Sequence, residues 1–361
     1  MRHRLGTLAL LAASLGVAAL LAEWALRWRL DEVDYLQPRL ESHPVLRHAV
    51  VPGSGGHDAW GFRNPQVPER VEILAVGDSQ TYGVSAPARH SWPAWLARLS
   101  GRTVYNLSML GYGPPDYRQL LLERGFSLRP RIAVIGFYLG NDLPRSGEVA
   151  DGRPEPSPAL AGRDDPRWLG ELRTRLSQGS LLYQVLKFEL PGVAESLRFR
   201  EAGTRDDTLP LEHPVSRTHL VPAYRLAQID QGKARNRRGL AAARADLAQI
   251  GALCRERGVR CPVLLIPTKE SVYRDLARQR LDPPGYALLA RLAAEEDAVR
   301  DDLTRHLEGR GLEWIDPLPD LRRALPTRRL YPANADGHPA AAGYRVIAAA
   351  VWRALSGEDP S

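Results

Sequence analysis

The chain has 361 residues, 44% of them apolar, which is enough to bury a domain-sized core and excludes a disordered tail. Its net charge of +7 comes from 49 basic and 42 acidic residues scattered among one another, and only three of the basic ones are lysines (Lys187, Lys233, Lys269). Without a concentrated basic patch or an aromatic ladder the composition speaks against nucleic acid as a partner, while an anionic surface or polymer stays open.

Arg2, His3 and Arg4 precede the uncharged run Leu5 to Ala22, which as a helix spans about 27 Å, just enough to cross a bilayer. Trp24, Arg27, Trp28 and Arg29 come next as an interfacial belt, and no small-x-small cleavage site closes the run. Residues 1–30 are read as an uncleaved signal anchor, in preference to a removed signal peptide; a buried N-terminal helix fits less well, because the run is apolar all round. Either of the first two readings places the rest of the chain on the extracytoplasmic side, periplasmic or cell-surface. There Cys254 and Cys261 form a disulfide or remain two buried thiols. No zinc spacing occurs among the histidines and cysteines, so neither a metal nor another cofactor is expected.

Residues 31–70 read as an irregular connector ending in HDAWGFRN, with Trp60 and Phe62 packed onto the main domain. Alternating elements then begin. Val71 to Val76 is a buried strand, and Gly77-Asp78-Ser79 turns it into a helix. A helix near Ser91 to Leu99, a strand at Thr103 to Leu107, the glycine-rich turn SMLGYGPPDY and a helix near Tyr117 to Arg124 come next. A third strand, Arg131 to Tyr138, ends at Gly140-Asn141-Asp142. From about 148 to 239 the pattern lapses into an insertion; within it Trp168 to Leu190 has helical spacing and is read as a substrate-facing lid. The bland alternative is a packing appendage or a membrane-proximal spacer. Regularity returns with a helix at Leu240 to Arg257, a strand at Val263 to Ile266, a helix at Tyr286 to Leu307, a strand at Leu312 to Ile315 and a last helix near Ala340 to Leu355. This alternation predicts an α/β, doubly wound, flavodoxin-like fold: five parallel strands with helices on both faces. The domain spans 71–355, and 356–361 is a tail.

A serine at the C-terminal end of a strand sits where open α/β sheets place their chemistry. Its hydroxyl needs a base, and the base needs a carboxylate to fix its tautomer. Asp336-Gly337-His338-Pro339, just before the last helix, supplies both. Acyl transfer also needs donors aimed at an oxyanion, and the backbone N–H groups of Ser79 and Gly111 with the amide of Asn141 lie at successive strand ends. Lys269 and Glu270, after the fourth strand, form either a solvated ion pair or a contact to an acidic substrate. Tyr82, Tyr112 and Tyr138 line a cleft or simply pack.

Gly77-Asp78-Ser79, Gly111 in NLSMLGYG, Asn141 in LGND and His338 in DGHPAAAGY come in the order of four blocks, and on them the chain resembles the SGNH, or GDSL, hydrolases. The resemblance covers 71 to about 355 apart from the insertion. It implies that Ser79 is the nucleophile, that His338 is base and then acid, that Ser79, Gly111 and Asn141 form the oxyanion hole, and that Asp78 only holds the turn. Two positions depart from the usual pattern: Gly140 directly precedes Asn141, and the position three before the histidine is Ala335. Asp336, two before it, resembles the spacing of the polysaccharide O-acetyltransferase branch.

Three functions are compatible with these residues. The first is a membrane-anchored ester hydrolase acting through an acyl-enzyme on O-acyl groups of a cell-envelope glycan or lipid. The second is an O-acetyltransferase passing the acyl group to an envelope polysaccharide, which would need a membrane partner to supply the donor. The third is a binding or scaffold protein that keeps the fold without catalysis. A nucleotide-binding reading lacks both the Walker lysine and the dinucleotide glycine spacing.

Overall fold

The computed structural model describes residues 2–152, 167–189 and 208–357 of the chain. The apolar N-terminal run forms helix α1 (Arg2–Arg29). Its stretch Leu10–Arg29 is long and apolar enough to cross a membrane, and none of it is buried; length and composition suit an anchor or a signal sequence. Helix α2 (Glu32–Tyr35) and a small antiparallel ribbon, β1 (Leu40–Glu41) with β2 (Ala49–Val50), bring order to the connector. Its HDAWGFRN end is bound by side chains. Asp58 accepts the Tyr105 hydroxyl at 2.7 Å, and Asn64 exchanges two hydrogen bonds with the backbone of Asn106, at 3.0 and 2.9 Å. Arg63, paired with Asp34 at 3.0 Å, donates to the carbonyls of Gly83 at 2.8 Å and Ala86 at 3.1 Å.

Strand β3 (Ile73–Gly77) is buried along its whole length, as the central position of a parallel sheet requires. Its side chains alternate between the two faces. Leu74 and Val76 enter one core and Ile73 and Ala75 the other. β4 (Val104–Ser108) and β5 (Ile132–Tyr138) flank it in parallel, in a register that sets Gly77 between Ser108 and Gly136, so β3 and β4 end level and β5 runs on to Tyr138. β8 (Val263–Ile266) and β9 (Trp314–Ile315) extend the sheet beyond β5; the spatial order is β4-β3-β5-β8-β9. This is the flavodoxin-like doubly wound order, and its switch point lies between β3 and β5.

Six helices come in chain order from β3: α3 (Ser79–Tyr82), α4 (Trp92–Ser100), α5 (Pro114–Glu123), α6 (Asp142–Ala150), α7 (Arg167–Gly179) and α8 (Leu181–Glu189). Beyond them β6 (Leu209–Leu211) pairs with β7 (Thr218–Leu220) and leads to α9 (Pro222–Ile229) and α10 (Ala234–Glu256). After β8 come α11 (Lys269–Ala277) and α12 (Pro283–Glu308), and after β9 come α13 (Leu318–Ala324) and α14 (Ala341–Ser356). Leu120 and Leu121 of α5 and Leu247 and Ile250 of α10 cover one face of the sheet; Trp92 and Leu96 of α4 and Ile347 and Val351 of α14 cover the other.

The insertion differs from expectation. Its stretches 153–166 and 190–207, Leu190 included, lie outside the described residues. The helical stretch is two helices broken at Ser180; α8 packs beside α1, and α7 packs against α8. The Glu23 carboxylate of α1 caps α8, accepting the N–H groups of Leu181 at 3.1 Å and Leu182 at 2.9 Å, and Arg27 donates to the Gly179 carbonyl at 2.7 Å. Residues 208–229 belong to the main domain. There Thr218 donates to the Pro332 carbonyl at 2.9 Å, holding β7 against the loop that carries Asp336. α10 begins at Ala234, well before Leu240, because Gly239 lies inside the helix; a Cβ there would stand 2.5 Å from the Leu143 carbonyl, so its absence lets α10 cross α6 closely. Cys254 and Cys261 are disulfide-bonded, with their Cα atoms 6.2 Å apart.

Candidate active site

Asp78 turns the end of β3 into α3. Its carboxylate accepts the Gln80 N–H at 2.9 Å and caps the helix, leaving Ser79 as the first helical residue, 8% exposed. The stretch before α14 carries His338 back to it. His338 Nε2 lies 2.8 Å from Ser79 Oγ, and Nδ1 lies 2.6 Å from Asp336 Oδ1. The two-residue spacing works because the acid folds onto its own chain: Asp336 Oδ1 also accepts the His338 backbone N–H at 3.0 Å, an Asx-type turn that points carboxylate and ring at each other. The other carboxylate oxygen takes the hydroxyl of Ser85, and the Asp336 N–H is held by Asn334 Oδ1 at 3.0 Å.

Gly337 serves this turn by its size. Its φ is not positive, and a Cβ on it would meet Arg225 Nη2 at 2.4 Å. Burial pushes the Asp336 carboxyl upward, but the charge of His338 and the hydrogen bonds from His338 and Ser85 outweigh it and hold the group well below the usual carboxylate range.

The other strand ends supply polar groups around Ser79. Gly111, in the turn after β4, has a left-handed backbone with φ +74°. Neither its N–H nor that of Ser79 makes a backbone hydrogen bond among the described residues. Asn141 comes after β5 and stands at the N-terminal boundary of α6 without a side-chain bond to its first turn. Its neighbour Asp142 is buried, accepting the Tyr138 N–H at 3.0 Å and the Tyr117 hydroxyl at 3.1 Å; burial and then the charge of Asp78 push its carboxyl well up. The turns carrying Ser79, Gly111 and Asn141 thus leave one edge of the sheet, and a base lies within hydrogen-bonding distance of the serine hydroxyl, an arrangement suited to deprotonating Ser79.

Burial raises the Asp78 carboxyl to about 6, against hydrogen bonds from Gln80, Asn141 and Ser79 and the charge of His338. Between the ordinary carboxyl value and about 6 the folded protein holds a proton that the unfolded chain has released, so this group's contribution to stability falls as pH rises through that window. Asp78→Asn is expected to flatten the decline in unfolding free energy between about pH 4 and 6, measured by urea titration; an unchanged slope would show that Asp78 does not titrate there.

Lys269 corrects an expectation. It is neither solvated nor open to substrate: it is 0% exposed, and its ammonium donates to the carbonyls of His219 at 2.7 Å, Asn334 at 3.0 Å and Asp336 at 2.9 Å. Burial lowers it to about 8, with the charges of Glu270 and Asp336 acting against this. A lysine at the start of a helix facing a loop of free carbonyls is their donor. Lys269→Met is expected to leave these acceptors unmet and to cost about 3 kcal/mol, read as a lower midpoint in urea. Tyr82, Tyr112 and Tyr138 are likewise buried and pack within the domain.

The residues missed in the sequence are Ser85, Arg225 and, in the Asp58–Arg63 strap whose aromatic packing was expected, the polar contacts of Asp58 and Arg63. Ser85 and Arg225 carry no local pattern. The strap's mix of charged and aromatic residues in a supposed connector was the one available signal.

A parallel sheet ordered β4-β3-β5-β8-β9, with Ser79, Gly111 and Asn141 beyond its strand ends and a returning histidine, is the α/β architecture that the sequence resemblance implies. No protein-family profile matches the chain, and neither does any curated protein sequence. Among solved structures it is similar to a protein described as lipolytic and of the G-D-S-L family from Desulfitobacterium hafniense, at 11% identity and TM-score 0.41, covering 79% of this chain and 99% of the other. It is also similar to an acetylxylan esterase from Geobacillus stearothermophilus, at 13% identity and TM-score 0.40 over 81% and 96% of the two chains. A third is a GDSL-like lipase from Bacteroides thetaiotaomicron, at 9% identity and TM-score 0.39 over 81% and 92%. Likenesses this distant carry no information on substrate.

Proposed function

We propose that the chain is a serine ester hydrolase of the SGNH type, acting on O-acyl groups of a cell-envelope glycan or lipid. The observation that carries this reading is the relay from Ser79 Oγ through His338 to Asp336, with its contacts of 2.8 and 2.6 Å. Ser79 attacks the ester carbonyl while Nε2 takes its proton; the N–H groups of Ser79 and Gly111 and the amide of Asn141 stabilise the oxyanion. The imidazolium, oriented by Asp336, then protonates the departing alcohol, leaving an acyl-enzyme on Ser79. Water, activated by the same nitrogen, releases the acid and restores Ser79. Helix α1 supports a membrane-anchored protein whose domain faces the envelope.

The short Asp336-to-His338 spacing favours one further reading, in which a polysaccharide hydroxyl takes the place of water and the chain is an O-acetyltransferase supplied by a membrane donor partner. Incubating the protein with p-nitrophenyl acetate and envelope-like oligosaccharides tests both. Phenol release with free acetate and a mass increment of one acetyl on Ser79 is expected for the hydrolase. Acetylated sugar would move the assignment to the transferase. No release and no adduct would leave only the scaffold reading.

A further inference from the structure

Arg225 has an ion-pair partner in Glu270 but hydrogen-bond donors that the described residues of the domain leave unmet. It projects from α9 with its side chain 12% exposed, and its guanidinium rests against the rings of Tyr138 and Tyr224, 5.5 and 5.3 Å from their centroids. Nε is buried without a hydrogen-bond partner among the described residues, and the Glu270 carboxylate stands off at 3.9 Å. A guanidinium keeps its charge and its five donors at any working pH. Glu270 balances the charge from beyond hydrogen-bonding distance, and enclosed donors without acceptors are costly, so the hydrogen bonding of this site is completed by an acceptor from outside.

Its position says which part of a substrate would bring that acceptor. Nη2 lies 2.4 Å from the point where a side chain on Gly337 would begin, and Gly337 joins Asp336 to His338. In acyl transfer the imidazole hands its proton to the departing alcohol, whereas the oxyanion donors hold the acyl oxygen. A group beside His338 therefore faces the alcohol half of the ester. We propose that Arg225 forms an anion subsite that binds a carboxylate on the alcohol half of the substrate, as on an O-acylated uronic acid residue of an anionic glycan. The inference rests on the ester-cleaving reading above and narrows its substrate class. A planar guanidinium suits a carboxylate because two parallel N–H···O bonds form at once, and a neutral sugar gains no such pair.

The test measures binding, so it does not depend on turnover. Full-length Ser79→Ala protein in detergent is titrated calorimetrically with trigalacturonate and with xylotriose, a neutral sugar of equal length. The uronate is expected to bind more tightly, and Arg225→Gln in the same background to weaken it by about 10- to 100-fold, with Arg225→Lys in between. Equal affinity for the two sugars, or uronate affinity indifferent to Arg225→Gln, would overturn the subsite. Should Arg225→Gln fail to fold, the salt dependence in Arg225 protein decides: an ionic preference shrinks as salt rises, and a preference indifferent to salt counts against the proposal. Failure of the ester-cleaving reading is a separate result, the absence of any Ser79-dependent turnover by protein with Ser79 in place.

Discussion

Ser79→Ala is expected to remove ester turnover almost completely, by on the order of 10^6-fold in kcat, while leaving a residual rate from the oxyanion donors and binding. The size reflects what the hydroxyl does. It is the nucleophilic atom held 2.8 Å from His338 Nε2, and a methyl group can neither give up a proton nor attack. The fold loses little, since the hydrogen bonds of Oγ among the described residues go to His338 and, at 3.3 Å, to Asp78; the thermal midpoint should stay close to that of the parent. Steady-state release of p-nitrophenol, compared with the melting curve of the same preparation, separates chemistry from folding. Turnover that survived the substitution would assign the hydrolysis to another residue.

Asp336→Asn is expected to cost about 10^4-fold in kcat. The carboxylate accepts from His338 Nδ1 at 2.6 Å, which places the ring proton there and leaves Nε2 free to act as base. An amide that turns its NH2 toward Nδ1 reverses the tautomer, and Nε2 then carries a proton and faces Ser79 as a donor. In that rotamer the His338 N–H loses its acceptor too, because one oxygen, Oδ1, takes both it and Nδ1. The melting curve of the variant, compared with that of the parent, therefore separates loss of orientation from loosening of the loop. A rate equal to that of the parent would remove Asp336 from the relay. Asp336 also bears on acid stability: its folded carboxyl lies below the ordinary value, so its stabilising contribution is present above that value and is lost as pH falls below it.

The central strands were legible because each is a short apolar run closed by glycine or a polar turn, and buried parallel strands have no other way to look. Ser79 and His338 were legible as neighbours because a sheet of this order can return the last loop to the end of its first strand. Asp336 was readable as an acid near the histidine, but its reach depends on an Asx-type turn that only coordinates display. Lys269 was misread because nothing local distinguishes a lysine beside a glutamate on the surface from one sealed under a loop; its acceptors, His219, Asn334 and Asp336, come from segments distant in sequence. The helix at 234–256 was started late because an interior glycine resembles a boundary until the neighbouring helix is seen against it. The contact of Trp168–Leu190 with α1 was not legible for a related reason: helical spacing reports an apolar face but not what it meets.

The grip of α1 on the domain has a mechanical consequence. Glu23 and Arg27 in its last turns bind α8 and the Gly179 carbonyl, Arg27 also pairs with Glu32, and only Leu30 and Asp31 separate α1 from α2. With α1 seated in a bilayer, the Ser79 hydroxyl works at one height and one tilt above the surface, like a tool on a fixed post instead of a leash. What lies within reach is then set by the length of the post.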